Sequence, residues 1–229
     1  GRLKIAGALA VIGAGATMAL AGVSTTALGA ALGFTLALWL TAAALLEWSG
    51  RIGFGRAGAW ARLANLPRAA HGMTLAHFGM AVLIAGITAS SAWRQEAIQA
   101  MKPGESVDIA SYTMTFKGVQ EQPGPNYSAA HATIAVSKGG REIAIMNPEL
   151  RTYTQPPQQT TFTSIHTTGF ADLYAALGEP QGDDGTYVTR FFFEPLLPFL
   201  WYGVILMVLG GFVSLTDRRL RIGAPRRAR

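Results

Sequence analysis

Side chains able to bind a metal or move a proton near neutral pH are scarce in this chain, which has four histidines and no cysteine in 229 residues. One of them, His77, lies inside an uninterrupted apolar run, Gly72-Met73-Thr74-Leu75-Ala76-His77-Phe78-Gly79-Met80-Ala81-Val82-Leu83-Ile84. An ionisable group is costly in hydrocarbon, so one kept there marks a functional position by default. A neutral imidazole in such a place can coordinate a metal, relay a proton or ligate a haem iron; it can also simply hydrogen-bond a neighbouring helix. His71 lies at the edge of the same run beside Arg68, where an interfacial structural role suits it. At about 100° and 1.5 Å per residue, the two rings stand about 120° and 9 Å apart, so they cannot serve one iron. His131 and His166 fall among Thr and Ser residues and read as surface or half-buried strand positions, with a metal shared between them left open. The absence of Cys excludes disulfides, thiolate metal sites and a Cys nucleophile, and leaves the redox compartment unspecified. No HExxH, CxxC or GxSxG motif and no phosphate-binding glycine loop is present.

The elements that must position His77 are apolar helices. Half of the chain is hydrophobic, only 14% is charged, and the mean hydropathy is +0.27. A soluble domain carries about 25% charged residues, so the deficit points to a membrane protein. Residues 5–23, 26–46, 72–93 and 196–215 each approach or exceed the roughly 20 residues that cross about 30 Å of hydrocarbon, and none contains a fixed charge. Glycines in the first and last segments suit close helix packing. Trp48, Trp93, Trp201 and Tyr202 fall at segment ends, as interfacial aromatics do. The chain starts at Gly1 with neither an initiator Met nor a cleavable signal peptide, so it is expected to be part of a longer polytopic protein, or one whose beginning lies outside these residues.

Charge sets the orientation. The formal net charge is +6, yet residues 94–194 hold 7 Lys/Arg against 11 Asp/Glu, a net of −4. The other 12 basic residues face only Glu47 and Asp217. They lie before the first segment (Arg2, Lys4), between the second and third (Arg51, Arg56, Arg62, Arg68), and after the fourth (Arg218, Arg219, Arg221, Arg226, Arg227, Arg229). Four alternating spans put all of these on one side, the cytoplasm by the positive-inside bias, and residues 94–194 on the other. Basic charge spread beside membrane segments excludes nucleic acid as a partner. Between spans two and three, Trp60, Leu63 and Leu66 could share a face against Arg56 and Arg62, which fits either a short helix in the headgroup layer, ended by Pro67, or a plain basic loop.

Residues 94–194 read as a β domain. Short β-branched or aromatic runs occur at 106–109, 112–119, 130–137, 142–146, 159–165 and 187–193. Turn signals separate them at Pro103-Gly104, 122–126, Lys138-Gly139-Gly140-Arg141 and Gln155-Pro156-Pro157. About six strands predict a small sandwich or barrel, with 172–177 as one short helical turn or strand near its rim. The fold class is therefore a polytopic α-helical membrane protein with an inserted small all-β extracytoplasmic domain. Its parts are two membrane helices in 1–50, a cytoplasmic basic connection in 51–71, a membrane helix carrying His77 in 72–93, the β domain in 94–194, a membrane helix in 195–216 and a basic tail in 217–229.

Several stretches, in order and at matching spacing over most of residues 60–220, carry a resemblance. They are Leu66-Pro67-Arg68; His77-Phe78-Gly79-Met80-Ala81-Val82 with Gly86-Ile87; Gly104-Glu105-Ser106-Val107-Asp108; and Tyr112-Thr113-Met114-Thr115-Phe116. Further on come Gly124-Pro125-Asn126-Tyr127, Asp172-Leu173-Tyr174-Ala175-Ala176-Leu177-Gly178-Glu179, and Gly210-Gly211 with Asp217-Arg218-Arg219. Together they resemble the C-terminal portion of the CcmF family, the membrane haem lyase component of cytochrome c maturation. The resemblance implies an enzyme component that receives substrate haem from a haem chaperone and joins its vinyl groups to the thiols of a CxxCH apocytochrome, in a bacterial inner membrane with the β domain in the periplasm. It also implies a resident haem b, with His77 as one axial ligand and the second supplied by a segment outside this chain. The family's tryptophan-rich external segment and its two external histidines have no equivalent here, and His131 and His166 do not match them. No catalytic residue is assigned. The partners implied are the haem chaperone, the proteins that handle apocytochrome, and membrane lipid. A different class of function, a non-catalytic anchored module whose β domain docks periplasmic proteins, fits the same acidic domain. A transporter half is disfavoured by the lack of broken helices or intramembrane charges.

Overall fold

Five helices and ten strands succeed one another in the computed structural model, which describes residues 2–21, 24–182 and 184–217. They form two units, Gly1–Ala92 with Leu196–Arg229, and Trp93–Pro195. The helical unit holds α1 (Arg2–Ala21), α2 (Thr25–Ile52), α3 (Ala59–Asn65), α4 (Arg68–Trp93) and α5 (Pro198–Leu215). The second unit holds only strands. The basic tail from Arg218 onward lies outside the described residues.

The ends of the helices follow from local chemistry. Ser24 opens α2 by accepting the Ala27 N–H on its hydroxyl at 3.0 Å, and Gly53 closes it in the left-handed region (φ 67°). Pro198 starts α5, where a missing N–H costs nothing. Arg62 on α3 turns back, with Nε donating to the Ile52 carbonyl at 2.5 Å and Nη2 to that of Ala57 at 3.1 Å, so its charge satisfies the C-terminal end of α2. Trp60 is left 83% exposed on the same short helix. Buried Asp217, just past α5, accepts the Ala69 N–H on Oδ2 at 3.1 Å and places a carboxylate at the N-terminus of α4.

α4 and α5 meet along a glycine stripe. Gly72, Gly79 and Gly86 recur every seven residues, close to two full turns, and so lie on one face of α4. A Cβ on Gly79 would come within 2.7 Å of the Gly203 carbonyl and 2.8 Å of the Met207 nitrogen. One on Gly210 would come within 2.6 Å of both the Ala76 nitrogen and the Gly72 carbonyl. The backbones themselves are in contact, which only small residues allow. α2 packs on α4 through Thr88, whose side chain fills the space left by the missing Cβ of Gly33.

The β unit is a sandwich of antiparallel strands: β1 (Gln95–Met101), β2 (Ser106–Ile109), β3 (Tyr112–Pro123), β4 (Tyr127–Lys138), β5 (Arg141–Met146), β6 (Glu149–Thr154), β7 (Pro157–Phe162), β8 (Ser164–Thr167), β9 (Ala171–Pro180) and β10 (Tyr187–Pro195). One sheet has the order β1-β10-β9-β8. The other runs β2-β3-β4-β6-β7, with β5 also paired to β4. Period-two patterning builds the core. Tyr112, Met114 and Phe116 of β3, with Ala130, Ala132, Ile134 and Val136 of β4, belong to one buried cluster with Leu173, Ala175 and Leu177 of β9 and Phe191 of β10. Gly139 (φ 58°) and Gly140 (φ 76°) make the two-residue β4–β5 hairpin that Lys138-Gly139-Gly140-Arg141 predicts, with Lys138 opposite Arg141.

Several expectations need correction. Four helices, α1, α2, α4 and α5, coincide with the four apolar segments, and among the described residues α2, α4 and α5 are each long and apolar enough to cross a membrane. Of the two alternatives for 172–177 the strand holds and the helical turn does not; the stretch belongs to β9, which lies inside its sheet between β10 and β8 rather than at the rim, with Leu173, Ala175 and Leu177 alternating into the core. The expected run 159–165 divides at Thr163 into β7 and β8, which belong to opposite sheets. β1 and β6 escape the sequence reading because polar residues interrupt their apolar alternation: Gln95 and Gln99 share the face of Ala97 and Met101 in β1, and Glu149 and Arg151 occupy the face opposite Leu150 in β6.

Candidate functional site

α4 presents His77 on the side turned away from α5. At about 100° per residue, His77 stands about 140° from Gly72 and 160° from Gly79 around the helix axis. It is exposed, and it shares a stripe with Met73, Met80, Ile84 and Ile87, of which Met73, Met80 and Ile87 are also exposed. The stripe follows the alternating steps of four and three residues that keep side chains on one face of a helix. Phe78, 37% exposed, flanks it. Small buried residues hold this wall of the helix in place, with Ala70 and Ala81 close to the His77 meridian.

The imidazole is oriented. Its Nδ1 lies 2.7 Å from the Met73 carbonyl, one turn earlier. A carbonyl can only accept, so Nδ1 carries the proton and Nε2 keeps its lone pair, directed away from the helix backbone. A hydrogen bond from the non-ligating nitrogen to a backbone carbonyl is the arrangement that fixes the tautomer and raises the basicity of a ligating histidine. His77 therefore fits the requirements of an iron ligand to a planar, apolar macrocycle: an Nε2 with its lone pair available, apolar neighbours along its stripe, and no charged residue on α4 after Arg68.

His71 has the opposite tautomer. The Trp48 indole N–H of α2 donates to His71 Nδ1 at 3.1 Å, and the two rings meet edge-on at 6.1 Å and 69°. With Nδ1 accepting, the proton of a neutral ring sits on Nε2 and no lone pair remains for a metal. His71 joins α2 to α4. In the β unit, His131 Nδ1 lies 3.3 Å from Glu149 Oε1, and Glu149 also binds Arg151 at 2.8 Å. Arg151 in turn lies over the rings of Tyr127 and Phe162, at 4.7 and 4.2 Å. His131 thus belongs to a cross-strand network on β4, β6 and β7, whereas His166 is half-buried on β8 in the other sheet. Among the described residues, no three His, Asp or Glu side chains come together as a metal-binding group.

Two further polar features of the β unit give no signal in the sequence. Asp172 is 7% exposed, opposite Glu194 in the β9–β10 ladder, and its Oδ1 has no hydrogen-bond partner. Neighbouring Tyr174 has its hydroxyl pKa raised, chiefly by burial and then by these two carboxylates. Asp184 lies beside Lys102 at 2.8 Å and accepts the Thr186 hydroxyl at 2.6 Å. The hydrogen bond from Lys102, then that from Thr186, lowers the Asp184 carboxyl from 3.8 to about 2.

Comparison with known proteins places this geometry in context. A family model described as the CcmF C-terminal beta-sandwich matches residues 92–195. The cytochrome c-type biogenesis protein CycK of Rhizobium meliloti is 40% identical over 200 residues, covering 86% of this chain and 29% of that protein. CcmF of Pseudomonas aeruginosa is 35% identical over 196 residues, covering 86% and 29%, and CcmF of Escherichia coli is 35% identical over 190 residues, covering 83% and 28%. A solved structure titled Cytochrome c Heme Lyase CcmF superposes with a TM-score of 0.69 at 24% identity, over 93% of this chain and 34% of that one, a likeness of fold. The chain spans under a third of the length of the three biogenesis proteins and about a third of the solved one.

Proposed function

Since the chain belongs to the CcmF family and corresponds to its C-terminal portion, we propose that it forms part of a cytochrome c maturation machine in the bacterial inner membrane, with His77 as an axial ligand of a haem b. The observation that carries this reading is the Nδ1 contact of His77 with the Met73 carbonyl, which leaves Nε2 free on an exposed apolar stripe. Bound there, a haem supplies a one-electron couple that can keep a nearby substrate haem iron reduced. The chain's own residues orient the imidazole through Met73 and exclude water with Met80, Ile84 and Ile87, while Phe78 flanks the ring. The second axial ligand comes from outside this chain.

In this reading the β unit lies in the periplasm, the C-terminus in the cytoplasm, and the partners are a haem chaperone and the proteins that present an apocytochrome. Attachment itself adds each cysteine S–H across a haem vinyl double bond. Sulfur bonds to one carbon and hydrogen goes to the other, so no oxidant is consumed. No residue of this chain is assigned to that step. The enzyme is a haem lyase to which the chain contributes a haem wall and a domain beside the assembly site.

Replacing His77 with Ala in the full-length protein and recording the pyridine haemochrome spectrum after purification tests the assignment. Loss of most of the haem b, with partial recovery when imidazole is present during growth, is the expected result. Haem b content equal to wild type would remove His77 from the site. A second reading, a docking module without haem, rests on the net charge of −4 in residues 94–194, and it predicts that haem content is insensitive to every substitution in α4.

A further inference from the structure

The β unit is tied to the helices by very short links. Only Arg94 separates the end of α4 from β1, and only Leu196 and Leu197 separate β10 from α5. Gln95 at the start of β1 pairs with Phe193 near the end of β10, so both links leave the same end of the sandwich. Strand pairing carries that level across the domain. Asp172, near the start of β9, lies opposite Glu194 on one side and Thr167, the last residue of β8, on the other. The Ala110 N–H in the β2–β3 turn donates to Gln95 Oε1 at 3.1 Å. Thr113 of β3 lies opposite Ser137 of β4, which brings the β4–β5 hairpin to the same end. Three turns therefore line up there: Ala110-Ser111, Lys138-Gly139-Gly140-Arg141 and Thr168-Gly169-Phe170.

The chemistry of this end differs from that of the other. Its three turns hold two basic residues and no acidic one. At the opposite end the β1–β2 and β9–β10 connections hold Glu105 and Asp184, with Lys102 tied to Asp184 at 2.8 Å. Phe170 is 70% exposed beside Gly169 (φ 84°). Lys138 stands with Nζ 4.9 Å from the centre of the Tyr112 ring, and Arg141 beside it is exposed. Among the acidic groups nearest this end, Asp108 accepts the Thr113 hydroxyl at 2.6 Å, Glu194 pairs with Arg94 at 3.0 Å and Asp172 is buried, while Glu96 and Glu142 lie further in along their strands. An exposed ring beside basic groups is the chemistry of a membrane–water interface, where aromatic rings sit at headgroup level and Lys and Arg meet anionic lipid. β8 stands two strands from β10, and β4 two from β2. At about 5 Å per strand, the Phe170 turn and the basic hairpin both reach sideways beyond the links.

We propose that this end of the sandwich rests on the bilayer, with Phe170 seated among the headgroups and Lys138 and Arg141 against the phosphates of anionic phospholipid. A link of two residues spans at most about 10 Å, so this end stays close to the surface from which the helices emerge. The proposal rests on α4 and α5 crossing the membrane, but on neither the haem assignment nor the side on which the β unit lies.

The test uses the full-length protein, with any cysteine elsewhere replaced by Ala, in nanodiscs of phosphatidylethanolamine and phosphatidylglycerol. A nitroxide is attached to Phe170→Cys or, at the opposite end, to Gln181→Cys. Its collisions with oxygen, which concentrates in lipid, are compared with those of a water-soluble nickel chelate. The Phe170→Cys label should favour oxygen and the Gln181→Cys label nickel. Lys138→Gln with Arg141→Gln should weaken docking about fivefold for each charge lost, read as a shift of the Phe170→Cys label toward nickel. Nanodiscs of phosphatidylcholine alone should shift it the same way. A label on Ser111→Cys keeps the native Phe170, and adding Phe170→Asp should raise its nickel collisions. Equal nickel access at Phe170→Cys and Gln181→Cys, or shielding from both reagents by a cover of protein, would overturn the proposal. So would indifference to the charge removal and to the lipid, or no response of Ser111→Cys to Phe170→Asp. His77→Ala should leave the collision pattern unchanged, and Lys138→Gln with Arg141→Gln should leave haem b content unchanged, so failure here is distinguishable from failure of the haem assignment.

Discussion

Of two histidines about one and two-thirds turns apart on α4, hydrogen bonding leaves a free nitrogen lone pair on only one. His77 donates to a carbonyl and His71 accepts from an indole, so their neutral rings carry the proton on different nitrogens. Trp48→Phe should therefore destabilise the helical unit by about 1 kcal/mol, the usual worth of one such hydrogen bond, and leave haem content unchanged. Thermal unfolding in detergent measures the first effect and the haemochrome assay the second. Loss of haem in Trp48→Phe would make His71 part of the site. A second titration lies in the β unit. The folded pKa of Asp184 is depressed from 3.8 to about 2, so the group stabilises the fold fully above 3.8 and loses that contribution as pH falls through about 2. The unfolding temperatures of wild type and Asp184→Asn should differ near neutral pH and converge as the pH is taken down through that window. A gap that persists below pH 2 would show that Lys102 and Thr186 are not its source.

Among the elements, α4 has the most to reconcile, since one face must admit α5 backbone to backbone and another must leave His77 open. Seven-residue glycine spacing meets both demands. Gly79→Leu would drive a side chain into the Gly203 carbonyl and the Met207 nitrogen, and neither backbone can give way alone. Overpacking of this kind costs about 1–3 kcal/mol, and a drop in the detergent unfolding temperature, larger than for Ala substituted at the open position Gly15, is the expected readout. Much of this was legible beforehand. The apolar segments, the Lys138–Arg141 hairpin and His77 each follow from local pattern. The Met73 carbonyl partner follows only from coordinates, because any helical residue has a carbonyl four positions back and only the rotamer decides whether it is used. The strands β1 and β6 were hidden for a different reason. Polar residues break the alternation of both strands, and their burial comes from partners distant in sequence: Met101 of β1 packs with the core that β3, β4 and β9 assemble.

For the whole molecule, the unanswered question is sidedness, and charge answers it in one direction. Residues 94–194 carry a net of −4, while the connection between α2 and α4 carries Arg51, Arg56, Arg62 and Arg68. Basic residues flanking short membrane segments resist translocation, whereas acidic ones contribute little. The α2–α4 connection should therefore stay in the cytoplasm and the β unit should cross. These residues contain no cysteine, so with any cysteine elsewhere in the protein replaced by Ala, Gln120→Cys and Arg56→Cys report the two sides separately. A membrane-impermeant maleimide applied to intact spheroplasts should label Gln120→Cys at once and Arg56→Cys only after permeabilisation; the reverse pattern would invert the whole arrangement. The outcome bears on chemistry as well as on topology. α4 begins at Arg68, so the predicted orientation puts His77 within about 14 Å of helix rise from the cytoplasmic end and places any haem it holds in that half of the bilayer.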